Sequence, residues 1–281
     1  PPFSDRHCIR KKLVQFNLII IGDEILHGSR IDQHFAFFKS LLEEHGLQWG
    51  SVQYLPHDRA LLTKQLRRSF EDGLSTFVTG GIGATPDDHT RQAAALALDL
   101  PIVNHPQAAQ YIEALTLKRG EALDSPEHRQ RLKMADFPQG ADIVENEYNT
   151  IAGFSIREHY FLPGFPVMAQ PMARWVLNRY YTDYFHQRQS DQRSIRVYDL
   201  AEAKIAPLME SIEQQYPGVF TYSLPSERRL NEQGEVIPAV IEFGLKAEGE
   251  ACQQLDTAWQ QALDALAALG ARLEEQTGSY A

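Results

Sequence analysis

The sequence is poor in cysteine, and this scarcity argues against two kinds of stabilising site. Cys8 and Cys252 are the two cysteines among 281 residues, and they stand far apart without metal-ligand spacing. A disulfide framework needs several paired cysteines, and a structural zinc site needs clustered ligands. We therefore expect neither, and a reducing compartment is compatible with this usage.

The chain also lacks a long apolar run and an excess of positive charge. No run approaches the ~20 apolar residues of a membrane helix. The opening stretch PPFSDRHCIRKK (1–12) lacks the apolar core of a signal peptide, so we interpret it as a disordered leader of a soluble, cytoplasmic protein. The formal net charge of -10 has the wrong sign for a nucleic-acid or anionic-membrane binder. We expect no nucleic-acid partner and no membrane partner.

The first hundred residues alternate between strand and helix patterns. Short apolar runs at 13–22, 49–56 and 75–81 are typical of buried strands, and each is followed by apolar residues at helical spacing. This alternation predicts a mostly parallel sheet with helices on both faces, a three-layer α/β/α arrangement. Further short strands are predicted for ADIVEN (141–146) and HYFLPG (159–164).

A polar stretch without periodicity, HQRQSDQRS (186–194), predicts a linker. Beyond it the patterns follow the order strand, helix, strand, strand, helix. This βαββα order predicts a small two-layer α+β domain. We therefore divide the chain into a first domain at 12–186 and a second at 187–281.

Two loops follow predicted strands directly and carry the chemistry of interest. They are GDE (22–24) and the glycine-rich TGGIGATPDDHT (79–90). Ligands of such sheets bind outside the carboxyl ends of the strands, so the topology predicts that both loops share one crevice. Backbone N–H groups of a glycine-rich turn at a helix start attract anions, whereas the adjacent Asp87 and Asp88 repel phosphate.

A divalent cation would reconcile these two preferences. Magnesium is typically held by one or two carboxylates plus phosphate oxygens, and four acids follow neighbouring strands: Asp23, Glu24, Asp87 and Asp88. The alternative for each acid is a structural one. Asp87 or Asp88 would cap the following helix, and Asp23 and Glu24 would cap the segment after the first strand.

Other polar residues give weaker signals. Four of the histidines in the first domain are scattered near the predicted loops and helices: His34, His57, His89 and His105. Packing or surface positions are the common explanation for such histidines, with His89 the candidate for a proton carrier near the loop. Three basic residues of a predicted helix either cover phosphates or form a solvated face: Arg129, Arg131 and Lys133.

Four motifs occur in a family-specific order. They are IGDEILHGSRID (21–32), TGGIGATPDDHT (79–90), RLKMADFPQGADIVEN (131–146) and FLPGFP (161–166). Together they resemble the molybdopterin-binding domain of the MoaB/Mog type, in the form found at the N terminus of CinA proteins. The C-terminal region is similar to the small KH-like domain that follows in CinA-type proteins. CinA proteins commonly end in an amidohydrolase domain, and this chain stops before one.

The resemblance implies a function and its requirements. Molybdopterin members bind or adenylylate the pterin, whereas CinA-type members are associated with metal-dependent hydrolysis of ADP-ribose-like pyrophosphates. A related domain of FAD synthase suggests FAD as another substrate. We therefore expect a metal-dependent nucleotide pyrophosphatase that uses Mg²⁺ or a similar divalent ion. The alternative is a non-catalytic protein that binds molybdopterin or a nucleotide. In either case the resemblance implies a homodimer or other homo-oligomer.

The resemblance also assigns roles to residues. It implies catalytic roles for Asp87 and Asp88. It implies a metal-binding set of Asp23, Glu24, Asp87 and Asp88. It implies a larger set that binds the ligand and its phosphates: Gly22, Gly28, Asp32, Thr79, Gly80, Gly81, Gly83, Thr85, Thr90, Pro163, Gly164 and Pro166.

Three positions depart from the family pattern. The usual GPTxDD is GATPDD here, a common asparagine is His34, and a glutamate of the third loop is Met168. The last change favours the binding alternative, because it removes a carboxylate. A nucleic-acid adaptor, suggested by the KH-like label alone, is disfavoured. Acidic side chains outnumber basic ones in 187–281, and the GXXG loop of the KH domain is missing there.

Overall fold

The fold is described from a computed structural model. It covers residues 14–187, 189–227, 229–230, 233, 236–237 and 239–275. The predicted leader (1–12), which includes Cys8, lies outside these residues. The chain divides into two compact units, with the division between His186 and Gln187. None of the helices in the described residues is long and apolar enough to cross a membrane.

The first unit contains eight described strands and seven described helices. The strands are β1 (Gln15–Ile21), β2 (Gln48–Leu55), β3 (Ser75–Thr79), β4 (Ile102–Asn104), β5 (Asp136–Pro138), β6 (Asp142–Val144), β7 (Gly153–Ile156) and β8 (His159–Leu162). The helices are α1 (Asp23–Leu26), α2 (His34–Glu44), α3 (Arg59–Asp72), α4 (Thr90–Ala97), α5 (Pro106–Lys118), α6 (Pro126–Leu132) and α7 (Pro166–Tyr180).

Six of these strands form one sheet in the order β2-β1-β3-β8-β7-β6. The first four run parallel, and β7 and β6 run antiparallel to their neighbours. The short strands β4 and β5 pair separately. The prediction of a mostly parallel sheet is therefore confirmed. Because β1, β3 and β8 lie side by side, the loops after their carboxyl ends meet at one edge.

Alternation along β1 shows why helices cover both faces. Ile19 and Ile21 point into a core with α3, α4 and α5, whereas Leu18 and Ile20 point into a core with α2 and α7. Side chains of a strand alternate between faces, so an unbroken apolar run needs a core on each side. The run in β1 is thus explained by a sheet buried between two helical layers.

The second unit contains described strands β9 (Ser190–Tyr198), β10 (Val219–Ser226), β11 (Arg229–Leu230), β12 (Val236–Ile237), β13 (Val240–Glu248) and β14 (Arg272–Glu274), with helices α8 (Glu202–Gln215) and α9 (Cys252–Ala268). Four strands form an antiparallel sheet in the order β10-β13-β9-β14, and β11 pairs with β12. Both helices share one core with this sheet.

Two predictions for this region need correction. The stretch 186–194 is not all linker, because β9 begins at Ser190 and its polar residues pair through their backbones with β13. The βαββα order also omitted β14, which pairs with β9 at the sheet edge. Both segments lack the apolar alternation that identifies a strand. They pair through their backbones, and backbone pairing does not require a particular composition.

Candidate functional site

The loops after β1, β3 and β8 pack backbone against backbone. The Gly80 N–H donates to the Leu162 carbonyl at 3.0 Å, and a Cβ on Gly164 would lie 3.3 Å from the Gly80 Cα. Gly80 has a φ of +98°, and a Cβ there would lie 2.2 Å from the Ile21 carbonyl oxygen. Glycine is required at this crossing because only glycine permits both the positive φ and the close approach.

These loops enclose one cavity of about 400 Å³. The first loop and the end of β1 contribute Ile21, Glu24 and Arg30, the loop after β2 contributes His57, and the glycine-rich loop contributes Gly80, Gly81, Ile82, Gly83, Ala84, Thr85, Asp87 and Asp88. The rest of the lining is Asn146, Asn149, Ile151, Ala152, Pro163, Gly164, Phe165 and Met168. The predicted shared crevice is therefore present in the fold.

The first residue of α4 donates hydrogen bonds to two carbonyls of the glycine-rich loop. Thr90 donates its N–H to the Gly81 carbonyl and its hydroxyl to the Gly80 carbonyl, both at 3.0 Å. The N–H groups of residues 81–84, by contrast, donate to no acceptor among the described residues. Free amides beside a helix start are available to an anion in the cavity.

Arg91 completes this support and was missed by the sequence reasoning. Its guanidinium is buried, with 3% of the residue exposed, and it donates to the carbonyls of Ile82 and Gly83. Burial lowers the pKa of Arg91, and the charges of Asp88 and Asp136 oppose that shift. Its Nε atom is buried and finds no hydrogen-bond partner in the part of the chain that the structure describes. Arg91 therefore binds two carbonyls of the glycine-rich loop, and the N–H groups of residues 81–84 remain without an acceptor among the described residues.

Asp88 closes the turn within this loop. Its Oδ2 accepts from the Thr85 N–H at 2.9 Å and from the Thr85 hydroxyl at 2.6 Å. The predicted helix-capping alternative for Asp87 or Asp88 is wrong, because His89 is the N-cap residue of α4 and no side chain caps it. The Asp88 carboxylate instead accepts hydrogen bonds from Thr85, within the turn that precedes the helix.

Asp87 is fully exposed to solvent. Its pKa is lowered, first by hydrogen bonding from the Thr85 hydroxyl and its own backbone N–H, and further by the nearby His57 and His89. The one Thr85 hydroxyl proton lies at hydrogen-bond distance from Asp88, so the two carboxylates share the influence of one donor. Asp87 thus stays ionised and accessible in the loop.

The structure brings together three of the four predicted metal-binding acids. Glu24, Asp87 and Asp88 line the cavity, whereas Asp23, the first residue of α1, does not. Within the described residues no three acidic, histidine or cysteine side chains are grouped closely enough to hold a metal ion. Magnesium in proteins is typically held by one or two carboxylates and completed by ligand oxygens, and the cavity lining offers Glu24 and Asp87 as carboxylates of that kind.

The other predicted binding residues fall into two groups. Six line the cavity: Gly80, Gly81, Gly83, Thr85, Pro163 and Gly164. Six do not: Gly22, Gly28, Asp32, Thr79, Thr90 and Pro166. The Asp32 carboxylate is already engaged, because it accepts from the Tyr54 hydroxyl at 2.7 Å and from backbone N–H groups at the start of α2.

The histidines differ in what they contact. His57 lines the cavity, and its Cε1 would lie 3.5 Å from a Cβ on Gly81. The His57 Nδ1 is buried and has no hydrogen-bond partner among the described residues. His34 is buried, bonds through Nε2 to the Gly164 carbonyl at 3.1 Å, and has a pKa lowered by burial. His105 caps α5, and the His89 Nδ1 lies 3.2 Å from Arg59. His57 therefore lines the cavity, whereas His89, the predicted candidate for a proton carrier, does not.

The basic residues of α6 and its flank do not line the cavity. Arg131 pairs with Glu121 at 2.8 Å, Arg129 donates to the Asp124 carbonyl, and Lys133 donates to Gln130 at 2.8 Å. Arg129 and Lys133 are exposed, as the alternative of a solvated face predicts, whereas the Arg131 side chain is largely buried and also donates to the Thr116 hydroxyl.

Comparisons with known proteins identify the family of the first unit. A family model described as "Probable molybdopterin binding domain" matches residues 17–182. The CinA-like protein of Colwellia psychrerythraea is 26% identical over 205 residues, which cover 71% of this chain and 46% of that protein. A protein of Aeropyrum pernix is 26% identical over 266 residues, covering 93% of this chain and 94% of its own length.

A solved structure shares the fold of the first unit. The CinA protein of Thermoplasma acidophilum, described as having unknown function, superposes with a TM-score of 0.51 at 26% identity. The match covers 59% of this chain and 96% of that one. This chain spans about half the length of two CinA-like relatives that it matches, 46% of one and 50% of the other. The resemblance inferred from the four motifs is confirmed, and the chain belongs to the "Probable molybdopterin binding domain" family, with CinA-like proteins among its relatives.

Proposed function

We propose that this cavity binds a nucleotide pyrophosphate together with a divalent cation, and that the chain hydrolyses the pyrophosphate bond. The observation that carries the proposal is the combination of free N–H groups at residues 81–84 with three carboxylates in one cavity. Free amides favour phosphate, and carboxylates tolerate phosphate only across a cation. ADP-ribose and FAD are the substrates that the CinA resemblance suggests.

Each group would have a separate task. The amides of residues 81–84 would bind phosphate oxygens and stabilise the negative charge that develops during cleavage. Asp87 and Glu24 would hold the cation, which when bound would neutralise charge between the carboxylates and the phosphates. Asp88 and Arg91 would hold the loop in shape from behind, through Thr85 and the loop carbonyls.

Hydrolysis assays with ADP-ribose and FAD test the proposal. We expect turnover that requires Mg²⁺ and stops with EDTA. Asp87→Ala should lower kcat/KM by roughly 100-fold to 1,000-fold, the range typical of lost electrostatic stabilisation. The matched control is Asp142→Ala, because Asp142 is an exposed carboxylate of β6 that does not line the cavity. The absence of metal-dependent turnover on both substrates, or full activity in Asp87→Ala, would contradict the proposal.

A second candidate function is non-catalytic binding of molybdopterin or a nucleotide. Two observations favour it: Met168 lines the cavity where the family has a glutamate, and the Asp88 carboxylate is engaged by Thr85. Both reduce the carboxylates that are free to ligate a catalytic cation. This candidate predicts saturable binding of the ligand by calorimetry, with intact ligand recovered after prolonged incubation with Mg²⁺.

A further inference from the structure

Part of the cavity lining carries no phosphate-binding group. It is formed by the loop that precedes β7 and by the start of α7, and it consists of Asn146, Asn149, Ile151, Ala152, Phe165 and Met168. We call these six residues the amide–aromatic wall. Phe165 is 56% exposed although it is a large apolar side chain at the cavity. An exposed ring at a cavity is available to a ligand.

A chain of hydrogen bonds fixes the orientation of Asn149. The Asn146 amide nitrogen donates to the Asn149 Oδ1 at 2.8 Å and to the Ile151 carbonyl at 2.9 Å. The Ile151 N–H donates to the same Asn149 Oδ1 at 3.0 Å. With two donors directed at its oxygen, the Asn149 side chain is held with Nδ2 on the opposite arm of the amide.

The Asn149 Nδ2 is left with a poor acceptor. Among the described residues it donates only to the Met168 Sδ, at 3.2 Å. A thioether sulfur accepts hydrogen bonds weakly, and an amide nitrogen carries two hydrogens. Asn149 therefore offers the cavity a fixed donor whose capacity the protein itself does not use.

We propose that the amide–aromatic wall binds the planar heterocycle of the ligand. Phe165 stacks on the face of the ring, and the Asn149 Nδ2 donates to a ring nitrogen or carbonyl oxygen at its edge. Flat aromatic faces bind bases by stacking, while a positioned amide reads the edge of the ring. This inference rests on the proposed function, because it assigns the second half of the same ligand.

The test compares two non-hydrolysable ligands by calorimetry in the presence of Mg²⁺. One is the methylene-bridged analogue of ADP-ribose, and the other is methylenediphosphonate, which has the phosphate chemistry without a base. Phe165→Ala should weaken the analogue about tenfold, as expected for one lost stacking contact. It should leave the affinity for methylenediphosphonate unchanged. Phe165→Leu should recover little, because it restores apolar bulk and no flat ring.

Asn149→Asp tests the edge contact. Aspartate keeps the oxygen that accepts from Asn146 and Ile151, and it lacks the Nδ2 donor. The ratio of analogue affinity to methylenediphosphonate affinity should fall about tenfold, the effect expected for an unpaired polar group in the complex. Val167→Ala is the matched control, since Val167 is 55% exposed beside Phe165 and does not line the cavity. It should change neither affinity.

The failures are distinguishable. If both ligands bind with Mg²⁺ and Phe165→Ala weakens them equally or not at all, the heterocycle assignment is overturned and the proposed function stands. If neither ligand binds the wild-type chain, the proposed function is overturned and the assignment falls with it.

Discussion

At the scale of single residues, Arg91 supports the glycine-rich loop through two of its carbonyls. Its guanidinium is buried and donates to the carbonyls of Ile82 and Gly83. Arg91→Met keeps the apolar stem and removes both donors. Since buried carbonyls then lose their partners, we expect the free energy of unfolding to fall by about 2 kcal/mol. We also expect weaker binding of the methylene-bridged ADP-ribose analogue. Urea unfolding and calorimetry measure the two effects.

Arg174→Met is the control for this prediction. Arg174 is exposed and pairs with Glu44 at 3.0 Å on the surface. Exposed ion pairs contribute about 0–1 kcal/mol, so both stability and affinity should stay near those of the wild type. Equal losses of affinity in the two variants would refute a special role for Arg91.

Gly80 combines a positive φ with a close backbone contact, and Gly140 has a positive φ without such a contact. Gly80 and Gly140 both have positive φ, +98° and +85°, but a Cβ meets the Ile21 carbonyl oxygen only at Gly80 and nothing within 4 Å at Gly140. Gly140→Ala should cost about 1–2 kcal/mol of unfolding free energy, from backbone strain alone. Gly80→Ala should cost clearly more, because the backbone of β1 must also move. Similar midpoints of thermal unfolding for the two variants would contradict this.

Some site residues were predictable from the sequence and others were not. The glycines and acids of 79–90 are recognisable because a tight turn and an acidic pair leave a local pattern. Arg91 and His57 leave none, since an arginine at a helix start looks like any solvated cation until its burial is known. The loop hydrogen bonds of Asp88 were also inaccessible, because its distance to Thr85 depends on the turn geometry.

At the scale of elements, one buried histidine joins α3 to β8. His159 is completely buried, accepts from the Ser69 hydroxyl at 2.7 Å through Nε2, and donates from Nδ1 to the Arg157 carbonyl at 2.9 Å. Burial lowers the pKa of His159 from 6.5 to about 4. Ser69 belongs to α3, so protonating this ring would disturb the contact between helix and sheet.

This shift predicts a pH dependence of stability. Between pH 6.5 and about 4 the unfolded chain takes up a proton at His159 and the folded chain does not, so stability falls as pH falls through that window. The loss amounts to about 3 kcal/mol at its low end. His159→Gln should flatten this slope in urea titrations, apart from the same-signed contribution of His34. An unchanged slope in His159→Gln would refute the assignment.

Elements with strong apolar patterns were predictable and weak ones were not. The unbroken run of β1 demands burial on both faces, so its strand and the helical layers follow from sequence. Strand β6 was predicted at 141–146, whereas β7 has four residues and was not, and β9 begins in a polar stretch. These segments form because a neighbouring strand offers backbone partners, which is a property of the fold and not of the local sequence.

At the scale of the whole molecule, each unit has its own apolar core. Two clusters belong to the first unit and one to the second, and the family match at 17–182 falls within the first. We therefore expect residues 14–186 to unfold cooperatively when expressed alone and to bind the ADP-ribose analogue as the full chain does. Urea unfolding and calorimetry on both forms check this. Loss of cooperative unfolding or of affinity in the shorter chain would show that the second unit is required.

The magnesium dependence of ligand affinity tests the central claim most directly. The claim is that free amides and carboxylates in one cavity bind phosphate through a shared cation. We predict that the methylene-bridged ADP-ribose analogue binds at least about tenfold more tightly with Mg²⁺ than with EDTA, because the cation neutralises the carboxylates beside the phosphates. Asp87→Asn should remove most of that difference. Equal affinity with and without Mg²⁺ in the wild-type chain would contradict the account.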